Sequence, residues 1–400
     1  MYKNLLVAVD NSQWSDHALK VALELAQATG ASLTATHVYA GRLHDDRFRQ
    51  LEPSLPERYQ SEEVIERQRG IHDALIGRGL ALISDSYLDV VESRCRDVGV
   101  HCRRQNLEGH HYEVLLKAAQ DAGADLVALG AHGLGHGPRS LLGSVCERVV
   151  RGAGMDALVA RQPTALAGTS LVVAVDGSSG SWAAARRAIG LAKTFGGSLT
   201  ALAVYDPFFH RVAFSSIATV LSSEAAKIFK FREQEVLHDE IIDSGLTSLY
   251  QGHLDRVAEA ANAAGVPISC EVLQGKPYDA LLGYVESAQP ALLLVGRHGL
   301  HRGEGQALGS NTENLLRLAT GNVLVAGERS DDAQSSPAEP RPGKAVPPLE
   351  WTPEAGARLQ RVPGFARGMA RLAIEKHARA HGYPLVTPEV VDEARKGFPF

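Results

Sequence analysis

The chain repeats itself once, without a gap. LLVAVDNS at Leu5–Ser12 returns as LVVAVDGS at Leu171–Ser178, SLTA at Ser32–Ala35 as SLTA at Ser198–Ala201, and Val38-Tyr39 as Val204-Tyr205. Gly130, Gly133, Gly143 and Ser144 return as Gly296, Gly299, Gly309 and Ser310. In every pair the second number exceeds the first by 166, as Leu5 and Leu171 show. The register holds over about 160 residues. A unit of that size is a whole duplicated domain, not a solenoid repeat of about 20–45 residues.

Each copy alternates strand and helix signals. LLVAV (5–9) is a continuous apolar run, as expected of a parallel strand covered on both faces. Ala18, Leu19, Ala22, Leu25 and Ala26 make a helical stripe within 15–29. SLTATHVY (32–39) is β-rich, and 61–96 carries helical pattern. A strand is expected near 100–107, a helix over 112–122, strand DLVALG at 125–130, a helix from Ser144, and a last strand ALVAR at 157–161. Five strands separated by helices predict a doubly wound parallel sheet in each copy. On such sheets ligands sit at the carboxyl ends of the strands, at the switch point.

The sharpest motif is G-x-x-G-x9-G-S, present as Gly130…Gly133…Gly143-Ser144 and Gly296…Gly299…Gly309-Ser310. Glycines directly after a strand let backbone N–H groups approach an anion. Gly143-Ser144 and Gly309-Ser310 then open helices, whose free amides and dipole favour negative charge. The pattern points to phosphate binding; tight turns alone are the plainer alternative. No G-x4-G-K-[ST] is present, and neither loop fits G-x-G-x-x-G. Asp10 and Asp176 end the first strand of each copy, where an Asp serves either as a turn residue or as a ligand contact.

These residues resemble the ATP-binding branch of the universal stress protein family. The resemblance runs over nearly all of 1–328 and rests on VAVDNS (7–12), VAVDGS (173–178), GAHGLGHGPRSLLGSVCERVV (130–150) and GRHGLHRGEGQALGSNTENLL (296–316). It implies two tandem α/β domains, 1–163 and 168–328, of the adenine nucleotide α-hydrolase-like kind. It implies one ATP in each, with or without Mg2+. Asp10 and Asp176 would face ribose and phosphates, Val38 and Val204 would read the adenine edge through their backbone, and the loop Gly and Ser residues would hold the phosphates. The edge strands ALVAR (157–161) and NVLVA (322–326) would pair as an internal pseudo-dimer. A homodimer is a further expectation.

The loops differ in detail. The first adds His136 and Arg139 as phosphate partners; the second has His301 and Arg302 but also Glu304, which repels phosphate. His132 and His298 read as packing or hydrogen-bonding residues of the loop, and His132 is counted with the site. His72-Asp73 and His238-Asp239 read as helix-surface pairs. His110-His111 has no counterpart pair, and Cys146 reads as a small buried residue.

Past Glu328 the chain turns polar and Pro-rich (Pro337, Pro340, Pro342, Pro347, Pro348), which predicts a disordered linker over 329–349. A small helical domain is expected over 350–400. Thr352-Pro353 and Thr387-Pro388 start helices, and Gly382 ends the one carrying Phe365, Met369 and Leu372. Its W-T-P-E-A, V-P-G-F and T-P-E-V-V-D-E-A-R-K signatures resemble the C-terminal domain of a light-independent protochlorophyllide reductase subunit. The iron–sulfur chemistry of that enzyme does not follow, since the last cysteine is Cys270. The domain reads as an interaction module for an unidentified protein partner. Arg367, Arg371, Lys376 and Arg379 make its central helix basic, a solvated face or an anion site.

A net charge of -5 argues against nucleic-acid binding by bulk electrostatics. No apolar run approaches the roughly 18 residues a membrane span needs. Four cysteines without C-x-x-C spacing fit a reducing cytoplasm and indicate no metal site. The expectation is a cytoplasmic, nucleotide-binding stress-response protein rather than an enzyme. The alternatives are a slow ATPase or nucleotidyl-transfer enzyme of the same fold, and a regulator linked to tetrapyrrole or redox metabolism through the tail.

Overall fold

The computed structural model describes residues 1–137, 139–206, 243–300, 307–327, 349–360, 370–371, 374–375, 377–379 and 381–396. The chain divides into two compact units, Met1–Val204 with His253–Pro337, and Tyr205–Gly252 with Ala338–Phe400.

In the first repeat the elements are β1 (Asn4–Ala8), α1 (Gln13–Thr29), β2 (Ser32–Tyr39), α2 (Gly41–Leu51), α3 (Glu62–Asp73), α4 (Gly79–Asp97), β3 (Cys102–Glu108), α5 (His111–Asp121), β4 (Leu126–Gly130), α6 (Ser144–Gly152) and β5 (Asp156–Ala160). The second repeat supplies β6 (Ser170–Ala174), α7 (Ser179–Phe195), β7 (Ser198–Tyr205), α8 (Asp243–Ala263), β8 (Ile268–Gln274), α9 (Pro277–Ala288), β9 (Leu292–Gly296), α10 (Ser310–Leu318) and β10 (Val323–Ala326). The expected strands and helices are all present, with ends shifted by one or two residues. Local signals explain their limits. Ser12 caps α1 by accepting from the Ser15 amide, and Gly30 ends it at φ +69°. Ser178 and Gly196 do the same for α7. A left-handed residue after a helix suits glycine, which has no Cβ to clash.

The ten strands form one sheet in the order β3-β2-β1-β4-β5-β10-β9-β6-β7-β8. Within each repeat the pairings recorded are parallel. The order in which strands are laid down reverses between β1 and β4, and again between β6 and β9, so each repeat has its own switch point. At the centre β5 pairs with β10 antiparallel, with Leu158 opposite Leu324. The expected pairing of the two last strands is therefore observed. It removes two exposed edges at once. Val159, Leu158, Val323 and Leu324 are fully buried there; each such side chain contributes about 1.5–3 kcal/mol on burial.

Polar contacts across this seam follow the repeat. Asp156 Oδ1 accepts from the Gly327 amide (2.8 Å), and its counterpart Asn322 accepts from the Arg161 amide (2.8 Å). Asp156 is fully buried, takes a hydrogen bond from Tyr2 Oη (2.9 Å) and forms an ion pair with Arg187 Nε (3.1 Å). Each repeat also sends an arginine to a helix carboxyl end of the other. Arg297 Nη1 donates to the Val150 carbonyl (2.9 Å) at the end of α6, and Arg161 Nη2 donates to the Leu316 carbonyl of α10. Cations are favoured at such ends by the free carbonyls and the helix dipole. Glu147–Arg317 (2.7 Å) and Glu313–Arg151 (2.5 Å) complete a reciprocal pair of bridges between α6 and α10. Arg317, by its hydrogen bond, holds the Glu147 carboxyl below the usual carboxylate range.

The second unit holds α11 (Pro353–Gln360) and α12 (Pro388–Lys396), both starting at the expected prolines. Thr352 Oγ1 accepts from the Ala355 amide (3.2 Å), and Gly382 takes φ +71°. Two short strands were not foreseen. β11 (Glu350–Trp351) and β12 (Leu385–Val386) pair in parallel and clamp the ends of the unit together. The core is small: Ala355, Leu359, Ile374, Ala378, Val386, Val390 and Ala394. Two of the basic residues have a partner inside the unit, Arg371 (3.0 Å) and Arg379 (3.6 Å) on Glu375. Arg367, Lys376, Phe365, Met369, Leu372, His238-Asp239 and the expected linker up to Pro348 lie outside the described residues. Among the described residues no helix is long and apolar enough to cross a membrane.

The seam carries a test. Asp156→Ala leaves the Arg187 guanidinium, 11% exposed, without its carboxylate, and removal of one partner of a buried pair costs about 3–5 kcal/mol. Arg151→Ala breaks bridges that are about a third exposed and should cost at most about 1 kcal/mol. Urea unfolding of the two variants measures the difference; equal losses would show that the seam does not depend on Asp156. A second test concerns the crossing of α1 over β4. A Cβ at Gly130 would stand 2.6 Å from the Trp14 carbonyl carbon and 2.7 Å from the Ser15 amide nitrogen. Backbone cannot yield cheaply, so Gly130→Ala should lose about 1–3 kcal/mol, read as a lowered melting temperature.

Candidate functional site

The carboxyl ends of β1 and β4 open onto a cavity of about 720 Å³. Asp10, Val38, Gly130, His132, Gly133, Gly143 and Ser144 all line it, so seven of the eight site residues expected in the first repeat come together. Arg139 does not line the cavity; it is exposed on the loop before Ser140.

The glycines make room for protein. Gly130 gives its space to the backbone of α1 at Trp14 and Ser15. A Cβ on Gly133 would stand 2.7 Å from Asp10 Oδ2, and one on Gly143 would stand 3.0 Å from the Ala131 carbonyl oxygen. Asp10 in turn ties the turn to the loop. Its Oδ1 accepts from the Ser12 amide (3.0 Å) and its Oδ2 from the Leu134 amide (3.3 Å). The loop closes when the Gly143 amide donates to the Ala131 carbonyl (2.7 Å). Gly143 is the N-cap of α6 and offers no side chain, so no side-chain acceptor caps the helix. The opening turn of α6, from Ser144 to Glu147, lines the cavity. Such uncapped amides attract anions.

Trp14 and two histidines brace the loop. Trp14 meets His132 at 5.2 Å and His136 at 4.9 Å between ring centroids, and the two imidazoles are 4.0 Å apart. Burial, then His136 and Arg161, pushes the His132 imidazole below its ordinary value. His132 Nδ1 is buried and has no hydrogen-bond partner among the described residues. Cys146 is buried, and burial pushes its thiol up to about 12, consistent with the packing role expected for it.

The opposite wall comes from residues that sequence patterns did not single out. Leu80, Ile83 and Tyr87 of α4, His37 of β2 and His111 at the start of α5 all line the cavity. His111 belonged to the unmatched His110-His111 pair; the others carried no motif signal because α4 reaches the site only through tertiary packing. His72, expected as a surface pair with Asp73, stacks its ring on Phe48 at 4.3 Å.

The second repeat places its counterparts the same way. Asp176 Oδ1 accepts from the Ser178 amide (3.0 Å) and Oδ2 from the Leu300 amide (3.3 Å). A Cβ on Gly299 would stand 2.6 Å from Asp176 Oδ2, and one on Gly296 would stand 2.5 Å from the Gly180 carbonyl carbon. The Gly309 amide donates to the Arg297 carbonyl (2.9 Å), and Ser310 opens α10. Val204 lies buried near the end of β7. His253 of α8 packs on Gly177, where a Cβ would meet its ring at 2.4 Å; the first repeat has Tyr87 at the corresponding position. His301, Arg302 and Glu304 lie outside the described residues. Among the described residues no group of three His, Cys, Asp or Glu is arranged to hold a metal ion.

Comparison with known proteins accords with this geometry. The sequence profile of the universal stress protein family matches residues 1–161 and 169–327. The profile described as proto-chlorophyllide reductase 57 kD subunit matches 351–395. The putative universal stress protein SERP1273 of Staphylococcus epidermidis is 31% identical over 162 residues, 40% of this chain and 84% of that protein. A light-independent protochlorophyllide reductase subunit from Roseiflexus castenholzii is 42% identical over 83 residues. That match takes in 20% of this chain and spans only 14% of the reductase subunit's length. In three dimensions a universal stress protein from Archaeoglobus fulgidus aligns over 82% of this chain and 97% of its own, with TM-score 0.51 and 17% identity, which shows a shared fold. With both repeats matched over their whole α/β length, this chain belongs to the universal stress protein family, as a tandem member with a C-terminal segment similar to part of a protochlorophyllide reductase subunit.

Proposed function

We propose that the chain is a nucleotide-binding stress-response protein that takes an adenine nucleotide, ATP with or without Mg2+, at the glycine loop of each repeat. The observation that carries the reading is the cavity at the switch point of the first repeat. An anion-favouring helix start, a hydroxyl at Ser144, a carboxylate at Asp10 and the apolar wall of Val38 and Leu115 meet there. A nucleotide presents the same sequence of chemistries: phosphates, ribose hydroxyls and an apolar base with a polar edge. Val38 and Val204 would meet the base, Asp10 and Asp176 the ribose side, and Gly130, Gly133, Gly143 and Ser144 with Gly296, Gly299, Gly309 and Ser310 the phosphates. Arg139, exposed beside the first loop, would reach the phosphates from outside.

The proposed role is binding, with the nucleotide stabilising one conformation, in the cytoplasm. Amides and a serine hydroxyl favour a bound triphosphate, whereas rapid hydrolysis also needs a water held in line with the γ-phosphate. The C-terminal unit, through its similarity to a reductase subunit, is proposed as a docking module for a protein partner.

Two measurements test this. In titration calorimetry with Mg-ATP, Gly143→Asp and Gly309→Asp should each remove one of two sites. The first substitution also crowds the Ala131 carbonyl, so each variant's melting temperature is recorded alongside. Unchanged stoichiometry in both would end the phosphate assignment. Second, Mg-ATP at a hundredfold excess over its dissociation constant should stabilise the fold by about 2.7 kcal/mol, seen as a raised melting temperature. Phosphate release should stay far below the ~1–1,000 per second of typical enzymes. Brisk release, lost on substituting Ser144 and Ser310 together, would favour the ATPase reading.

A further inference from the structure

The first cavity contains a histidine whose proton has been placed by its neighbours. His37 lines the cavity, and its Nδ1 lies 2.8 Å from Ser84 Oγ. Ser84 donates its hydroxyl proton to Asn106 Oδ1 (2.6 Å). The amide of Asn106 is itself oriented, since Nδ2 donates to the Ala81 carbonyl (3.1 Å) and to Asp85 Oδ1 (3.0 Å). Ser84 Oγ can therefore only accept from His37, and Nδ1 carries the proton. Nε2 is then the basic nitrogen, the one free to take a second proton.

The other groups around His37 come from three elements. Tyr87 of α4 sets its ring edge-on at 5.2 Å. Asp10 at the end of β1 and His111 of α5 act on it electrostatically. Asp85, behind Asn106, is matched by Arg104 (3.4 Å). Burial, the largest influence, pushes the His37 imidazole below its ordinary value; Asp10 opposes this and His111 adds to it. His111 is also lowered, by partial desolvation and by His110, against Asp10. Before an anion binds, both rings are therefore neutral near pH 7. In the second repeat the counterparts of His37 and His111 are Ala203, buried in β7, and Pro277, the first residue of α9. The histidine beside Asp176 there is His253 of α8, which packs on Gly177 and is lowered by burial and by Arg256, against Asp176.

We propose that His37 is a proton-accepting ligand contact of the first site, so that this site takes up a proton at His37 together with its anionic ligand. This rests on the nucleotide reading above and adds regulation to it. A polyphosphate brings several negative charges into a cavity whose nearest fixed charge is Asp10, and a neighbouring anion favours the protonated imidazole. The sign follows. The ligand raises the His37 pKa from below its ordinary value towards or above it. Affinity is highest below the free-state pKa, falls as pH rises between the free and bound values, and levels off above the bound value. One linked proton changes affinity by at most about tenfold per pH unit in that window. The first repeat would then answer nucleotide level weighted by acidity.

The test is calorimetric titration of the full chain with Mg-ATP from pH 6 to pH 8, in two buffers of different ionisation enthalpy. Gly309→Asp isolates the first site, and His37→Gln in that background controls for the nucleotide's own ionisation. The first site should weaken about tenfold over the range and take up more protons on binding than the His37→Gln variant does. His37→Gln, which keeps an N–H for Ser84, should flatten the first site's pH dependence while binding persists. Proton uptake by the unsubstituted chain supplies a readout that does not depend on any variant folding. A dependence that survives His37→Gln overturns the proposal and leaves nucleotide binding intact. No Mg-ATP binding by the unsubstituted chain at any pH overturns the nucleotide reading, and this inference with it.

Discussion

The antiparallel pairing of β5 with β10 is the contact on which the rest of the main unit depends. Each repeat alone would end in a short, buried strand with a row of unpaired amides and carbonyls along one edge. Joining the two strands satisfies both rows and carries one hydrophobic layer from Leu6 and Val127 through Val159 and Val323 to Val295 and Val172. The seam then recruits polar groups that would be costly elsewhere. Asp156 is tolerable in full burial because Tyr2, Arg187 and the Gly327 amide surround it. Its counterpart Asn322 needs no cation, and it bonds the Arg161 and Gln162 amides instead. A duplicated chain has kept the symmetric hydrogen bonds and let the charge diverge.

The same seam couples the two glycine loops to each other's surroundings. Arg297 follows Gly296 directly and reaches back to the carboxyl end of α6, the helix that starts at the first loop's Gly143-Ser144. Arg161 does the reverse for α10. The helix start proposed to hold phosphates in one repeat thus has its far end held by the other.

The repeats also differ in the walls around the shared loop. The aspartate, the glycines and the serine recur with nearly the same distances, since they build the loop whatever it binds. Around them His37 faces Ala203, His111 faces Pro277, Trp14 faces Gly180 and Tyr87 faces His253 as counterparts. Gly180 is needed because the His298 carbonyl would come within 2.5 Å of a Cβ there; at Trp14 the chain instead spends a large ring to brace His132 and His136. Shared backbone geometry with altered walls is what one expects of two sites tuned apart.

The duplication, the succession of strands and helices along each repeat and the loop motif were legible because they are written in short-range patterns: apolar runs, a helical stripe at Ala18, Leu19, Ala22 and Leu25, and glycines at fixed spacing after a strand. Those patterns arise from backbone sterics and local periodicity, which act over a few residues. The purpose of the glycines was less legible. Sequence spacing suggested space for an anion, whereas Gly130 and Gly133 yield their space to Trp14 and to the Asp10 carboxylate. Arg139, placed near the phosphates by its position in the loop, stays outside the cavity wall. The tail's β11–β12 pair escaped notice because two-residue strands have no periodicity to read. Sequence alone determined which family this chain belongs to and which residues form the loops. Only the tertiary structure decided what faces them: α4 brings Ser84 and Tyr87 to His37 from more than forty positions away, and no local pattern encodes a contact made by packing across a sheet.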